Sequence, residues 1–331
     1  MKSPMTGKEM PLKIRTEVLT FRKEEFPVEY QFYYCEDSEE EFFTPEMGEV
    51  TYKQLYNAYR VKHKIPFPEE IKQIRAQYGL PANKMAEILG FGINMFRAYE
   101  NGEIPNESNA RLIQLASNPR EFKKILSLSN VLNEKELENV LSKIDSLIKE
   151  NKEHIINKEE YIMDAKYPSE YTGYKTPNLE KALNVIVFFS HLLKPWQTAL
   201  NKLLFYADFG HFKVNGQSIT GLSYRAVTYG IVPSSYDKLF AEASSQNLVN
   251  INYQEFENSY SIGKQYSSDD NFNSDLFSES ELITLNKVVN KFSGLSVNDI
   301  VNKNHEEVAW LDHIAKHELV SYKKSFYLQH I

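Results

Sequence analysis

Asn94 and Arg97 lie three residues apart in a short segment closed by Asn101-Gly102, and side chains at that spacing share one face of a helix. An Asn amide bonds adenine in bidentate fashion and an Arg guanidinium does the same with guanine, each good pair adding about 1–3 kcal/mol of base discrimination. Asn83 and Lys84, at the start of the preceding helix, are placed to meet phosphate. Catalytic chemistry finds less support. His313 and His317 have the i, i+4 spacing of a metal-binding pair, but Ile314 stands where a zinc protease carries Glu, so they read as solvated or helix-end histidines. Cys35 is the single cysteine and has no partnered His in a recognisable signature. Asp269-Asp270 belongs to a Ser/Asn/Asp-rich loop and reads as solvated. The 13 glycines are scattered at turns rather than gathered into a phosphate-cradling loop. No catalytic residue, metal or cofactor is expected, and the chain does not read as an enzyme.

The elements that must position Asn94 and Arg97 are legible. Pro66 and Pro68 open a helix whose buried face is marked by Ile71, Ile74 and Tyr78, and Gly79 ends it. Ala82 to Leu89 forms a second short helix stopped by Gly90 and Gly92, and Ile93 to Tyr99 a third. Two such helices joined by a glycine turn project the second into the major groove. Ala86 is small where the helices approach, and Leu89, Phe96 and Tyr99 fill the space between them. Ser108 is placed to cap a fourth helix through Leu112 and Leu115, and Asn118-Pro119 starts a fifth. Residues 67–118 hold five cations (Lys72, Arg75, Lys84, Arg97, Arg111) against six Glu (Glu69, Glu70, Glu87, Glu100, Glu103, Glu107). A monomer with that balance binds DNA poorly, and a homodimer spanning a palindrome is the remedy.

Around this module the chain divides into four segments. Residues 1–65 read as a small β-containing module, from the runs Ile14 to Phe21 and Glu29 to Tyr34, followed by a helix from Thr51 to Lys62. Residues 66–126 are the helix-turn-helix bundle. Residues 127–176 hold a helix capped by Asn133 and then a polar linker. Residues 177–331 form a last domain: a strongly apolar helix Leu179 to Leu193, a second from Trp196 to Phe212, a hairpin or loop crossing at Ile219 to Pro233, a helix Ser234 to Gln246, strand pairs within Leu248 to Ile262, and helices near 278–292, 296–303 and 306–317. The class is α+β and mainly helical.

The totals set bounds. At 331 residues, two or three domains are expected. The 21 Tyr and 20 Phe read as well-filled small cores. One cysteine rules out an internal disulfide framework and fits a reducing compartment. No apolar run approaches the ~20 residues of a membrane span, and the start of the chain lacks a signal-peptide hydrophobic segment, so the cytoplasm is expected. A net charge of −7 demands that any DNA contact come from a local face or a dimer.

Leu80 to Pro105 resembles the helix-turn-helix of the MqsA-type antitoxins, bacterial proteins that neutralise a toxin and repress their own operon. In that family two Cys-x-x-Cys pairs hold zinc in an N-terminal domain. Here Ser3-Pro4-Met5-Thr6 and Cys35-Glu36-Asp37-Ser38 stand in their places. A structural zinc site takes four N or S donors, so no zinc is expected. Asn94 matches the family's base-reading Asn, while Ala98 stands where its Arg is expected and Arg97 falls one position earlier, which implies a different operator.

A second resemblance covers about residues 178–320. Lys202-Leu203-Leu204-Phe205-Tyr206-Ala207-Asp208, Gly216-Gln217-Ser218-Ile219-Thr220-Gly221, Tyr229-Gly230-Ile231-Val232-Pro233 and His305 with Trp310 are similar, in order, to the motifs of the Panacea or SocA-like domain. That family neutralises diverse toxins in type II toxin–antitoxin systems, and some members are proteolytic adaptors. Leu203, Leu204, Tyr206 and Trp310 read as core or half-core, and Gly221 and Gly230 as turn formers. The residues expected to face a partner are Lys202, Tyr206, Asp208, Arg225, Tyr229, Val232 and Pro233. Two readings stand: an antitoxin and autoregulator that binds a protein toxin and operator DNA as a homodimer, or a transcription regulator or proteolytic adaptor of a mobile element with no toxin partner.

Overall fold

A computed structural model describes residues 1–150, 158–255, 262–269 and 272–331. The chain divides into two compact units, one of residues 1–55 with 157–331 and one of residues 56–156. In the first of these the first strands bond to residues near the end of the chain. The class is the one expected, mainly helical with small antiparallel sheets. Among the described residues no helix is long and apolar enough to cross a membrane.

The first unit opens with β1 (Leu12–Phe21), β2 (Glu24–Cys35) and β3 (Glu40–Phe42), ordered β1-β2-β3. Arg22 and Lys23 join β1 to β2 as a two-residue turn with φ of 49° and 69°, the positive-φ pair that suits strand twist. Neither is glycine, so the turn carries no glycine signal and both strands run beyond the segments expected. Phe26, Val28, Phe32 and Cys35 of β2 face inward. Helix α1 (Pro45–His63) follows. Its Gln54 side chain pairs with the Glu29 backbone in both directions, accepting from the amide at 3.0 Å and donating to the carbonyl at 2.9 Å. Tyr327 donates to the Glu29 carboxylate at 2.7 Å and Lys323 to the Pro27 carbonyl at 3.3 Å, fixing the sheet to the end of the chain.

The second unit is helical: α2 (Pro68–Ala76), α3 (Ala82–Ile88), α4 (Met95–Glu100), α5 (Glu107–Ala116), α6 (Pro119–Ser127) and α7 (Glu134–Glu150). Asn118 caps α6 and Asn133 accepts from the Glu136 amide at 2.9 Å, both as expected. The cap of α5 is Asn106, accepting from Asn109 at 2.8 Å, and not Ser108, which lies inside the first turn. The inward face of α5 is accordingly Ala110, Ile113 and Ala116, and Leu115 is exposed.

The remainder belongs to the first unit. Helix α8 (Lys158–Met163) precedes α9 (Leu179–Leu193) and α10 (Gln197–Asn215). Hairpin β4 (Tyr224–Val227) and β5 (Gly230–Pro233) is followed by α11 (Tyr236–Ser245) and the pair β6 (Asn250–Glu255) and β7 (Ile262–Ser267). Then come α12 (Glu279–Phe292), α13 (Val297–His305) and α14 (Val308–Leu311). Residues Ile314–Lys316 and Tyr322–Tyr327 form short 3₁₀ turns. The helix expected at 306–317 is thus broken in two, and His317 ends the second piece at φ 53°. His313 bonds the Ala309 carbonyl and His317 the Ala226 carbonyl, so the pair shares no helix face. Asp270 and residues 256–261 lie outside the described residues, as do residues 151–157 of the expected linker. Helix α10 is the axis of this unit, buried continuously from Ala199 to Phe212 and packed by α9, α12, α13, β5, β7 and the 322–327 turn. A helix buried on all sides has no solvated face for its polar residues.

Candidate nucleic-acid interface and partner surface

Three glycines with positive φ punctuate the helix-turn-helix: Gly79 at 67° after α2, Gly90 at 75° after α3 and Gly102 at 107° after α4. Met85, Ala86, Leu89, Phe96 and Tyr99 form one core with Ile71, Tyr78, Ile113 and Phe122. Tyr78 stacks on Phe122 with ring centroids 4.1 Å apart and donates to the Ala116 carbonyl at 2.7 Å. Arg75 is part of the scaffold. It meets Glu100 at 2.6 Å and the Leu80 carbonyl at 2.7 Å, tying α2 to the end of α4. Arg60, buried and pushed down to about 10 by desolvation, donates to the Gly102 carbonyl at 2.5 Å and holds the following turn. Neither role was visible in the sequence, because each partner lies in a different helix or turn.

On this frame Asn94 caps α4 without using its side chain on the backbone, and it is exposed. Arg97, one turn later, is also exposed and makes no side-chain hydrogen bond or ion pair among the described residues. Asn83 is exposed at the start of α3. Lys84 is placed differently from expectation. Its ammonium donates to the Val131 carbonyl at 3.1 Å and lies 3.8 Å from Glu136, so part of its donor capacity is taken by its own unit.

In the first unit the polar residues of α10 are inside. Asp208 is fully buried and accepts four hydrogen bonds: from the Ile219 and Thr220 amides, both at 2.9 Å, from the Thr220 hydroxyl at 2.5 Å and from the Tyr224 hydroxyl at 2.7 Å. Burial pushes its carboxyl up while these donors pull it down. The carboxylate thereby organises the 219–221 turn and the start of β4. Lys202 is also fully buried, its ammonium has no acceptor among the described residues, and burial pushes it down to about 7. Tyr206 donates to Glu307 at 3.2 Å, whose other oxygen accepts from the Gln329 amide at 3.0 Å. At the hairpin, Gly230 has φ of 102°, and a Cβ there would press on the Asn304 side-chain oxygen and lie 2.7 Å from Lys202 Cε. The Asn304 side chain in turn accepts from the Ile231 amide at 2.6 Å. Trp310 donates to the Val227 carbonyl at 2.9 Å and stacks on His305.

Compared with known families, residues 1–124 match the antitoxin component of bacterial toxin–antitoxin systems, MqsA. Residues 200–311 match the antitoxin SocA-like, Panacea domain. The chain thus carries, in order, a segment similar to the MqsA antitoxins and a segment similar to the Panacea domain. No curated protein matches the chain.

Seven residues within or beside the Panacea motifs are expected to face a partner. Lys202, Tyr206, Asp208, Val232 and Pro233 are buried. The physical reason is the all-round burial of α10 and the packing of β5 directly on it. Arg225 is half-buried on β4, and Tyr229 at the hairpin tip is 71 % exposed, so these two remain available. In the MqsA-type segment, the four zinc-ligand positions carry one thiol and three hydroxyls. That donor set does not fit a structural zinc ion.

Proposed function

We propose that this chain is the antitoxin of a type II toxin–antitoxin system, binding a protein toxin through its Panacea domain and repressing its own operon through the helix-turn-helix. The observation that carries the reading is the joining of two antitoxin-family segments in one chain, with Asn94 and Arg97 exposed on the glycine-bounded α4. A net charge of −7 makes the operator complex a homodimer, which doubles the phosphate and base contacts across a palindrome. The toxin-facing surface centres on Arg225 and Tyr229. An exposed aromatic tip held by a rigid hairpin can serve as a binding anchor at low entropic cost.

The test pairs the full-length chain with the product of the adjacent gene. Co-expression is expected to restore growth that the neighbour alone arrests. A Tyr229→Ala, Arg225→Ala double variant, folded as judged by circular dichroism, is expected to lose that rescue while keeping operator affinity. Growth arrest that persists with the parent chain, or rescue unaffected by the double variant, removes the toxin-binding part of the reading.

A further inference from the structure

The two loops that stand in the zinc-ligand positions have the same local geometry. In the first, the Ser3 hydroxyl accepts from the Met5 amide at 3.2 Å and the Thr6 amide at 3.3 Å, and Gly7 closes the turn on the Ser3 carbonyl at 2.8 Å. In the second, the Cys35 sulfur faces the amides of Asp37 and Ser38, again two and three residues on. The two leading side chains meet: Ser3 Oγ and Cys35 Sγ are 3.2 Å apart and both are buried. The Ser38 hydroxyl is buried but has no hydrogen-bond partner among the described residues. Thiolates on a tetrahedral zinc with Zn–S of about 2.3 Å sit about 3.8 Å from each other. At this one pair the loops are therefore held close by a hydrogen bond, somewhat nearer than two thiolates on a shared metal would be.

We infer that the β module has exchanged a metal for a buried Ser3–Cys35 hydrogen bond between its two loops, and that the loops keep these two leading positions close enough to share a metal. The fold of residues 1–55 then depends on this bond and on contacts with the rest of its own unit, where Glu29 meets Tyr327 and Pro27 meets Lys323. A divalent soft cation becomes a ligand only when the three hydroxyls are replaced by thiols.

The full-length chain tests this directly. Purified parent protein is expected to carry only sub-stoichiometric zinc by elemental analysis, and EDTA is expected to leave its melting temperature unchanged. The triple variant Ser3→Cys, Thr6→Cys, Ser38→Cys is expected to take one Co²⁺ or Zn²⁺ per chain, with the absorption of a tetrahedral Co²⁺–thiolate centre, and to lose melting temperature on EDTA. Stoichiometric zinc in the parent, or an EDTA-dependent melt, overturns the exchange. A folded triple variant that takes no Co²⁺ overturns the retained closeness. Should the triple variant not fold, Cys35→Ser decides the exchange: this variant swaps the one sulfur for a further hydroxyl and is expected to melt within a few degrees of the parent. A collapse of the module there refutes a link made by a hydrogen bond.

Discussion

Lys202 offers a prediction whose sign runs against the usual effect of a core substitution. The side chain is fully buried on α10, its ammonium has no acceptor among the described residues, and its pKa falls from the ordinary 10.5 to about 7. For a base whose folded pKa is depressed, the unfolded chain binds more protons between pH 7 and 10.5. Stability therefore rises with pH across that window, and the penalty is fully developed below about pH 7. At about 1.36 kcal/mol per unit, a drop of this size costs on the order of 4–5 kcal/mol at neutral pH and below, an upper bound because the cluster can relax. Methionine keeps an unbranched chain of similar length, so Lys202→Met opens no cavity and removes only the charge. The variant is expected to be about 1–4 kcal/mol more stable than the parent at pH 6, with the advantage vanishing towards pH 10. Urea titration followed by tryptophan fluorescence suits the measurement, since the two tryptophans, Trp196 and Trp310, both belong to the unit that contains Lys202. Comparing variant with parent at each pH cancels titrations common to both, leaving His305, whose depressed pKa owes a secondary share to Lys202. A Lys202→Met chain that is less stable at pH 6, or a parent whose stability is flat from pH 7 to 10, refutes the reasoning.

Asp208→Ala leaves two buried amides and the Tyr224 hydroxyl without their acceptor and is expected to cost about 3–5 kcal/mol in urea titration; Asp208→Asn, which keeps one oxygen for both amides, should cost about half of that. Gly230→Ala presses a methyl onto Asn304 Oδ1 at a φ of 102° and is expected to lower stability by about 2–4 kcal/mol in the same assay, from strain and overpacking together. Arg97→Ala removes an exposed guanidinium that makes no side-chain hydrogen bond or ion pair among the described residues: thermal melting should be unchanged while operator affinity falls roughly 5- to 150-fold per half-site in a fluorescence-anisotropy titration.

The helices α2, α3 and α4 were legible because their signals are local. Pro68 at the start of α2, the positive-φ glycines after each helix, and the apolar spacing from Ile71 to Tyr99 all act within a few residues. The details that escaped are those decided by long-range partners. Lys84 reads as a free cation at a helix start until Val131 and Glu136 claim it. Arg75 and Glu100 look like two surface charges until the fold brings them together. The same limit explains α10. Its aliphatic residues mark an inward face, and the sequence leaves the remaining faces to its polar residues by default. Only the closure of α12, α13, β5 and the 322–327 turn around it shows that Lys202, Tyr206 and Asp208 are inside as well. The pairing of residues 1–55 with the last part of the chain is the extreme case, since nothing local encodes a contact between Glu29 and Tyr327.

These placements divide the labour of the Panacea motifs. A binding domain needs a frame that stays constant and a rim that can vary. The motif residues here build the frame: Asp208 folds the 219–221 turn, Tyr206 and Gln329 share Glu307, and Gly230 lets β5 close on Asn304. The frame ends at one hairpin tip, where Trp310 grips the Val227 carbonyl and Tyr229 stands clear of the surface. Under the proposed function, substitutions that abolish neutralisation through the motif residues act by loosening the domain and reveal themselves in its melting temperature. Substitutions at Tyr229 and Arg225 act on the partner and leave the melt alone. Measuring stability beside neutralisation for each variant therefore separates a broken scaffold from a lost contact.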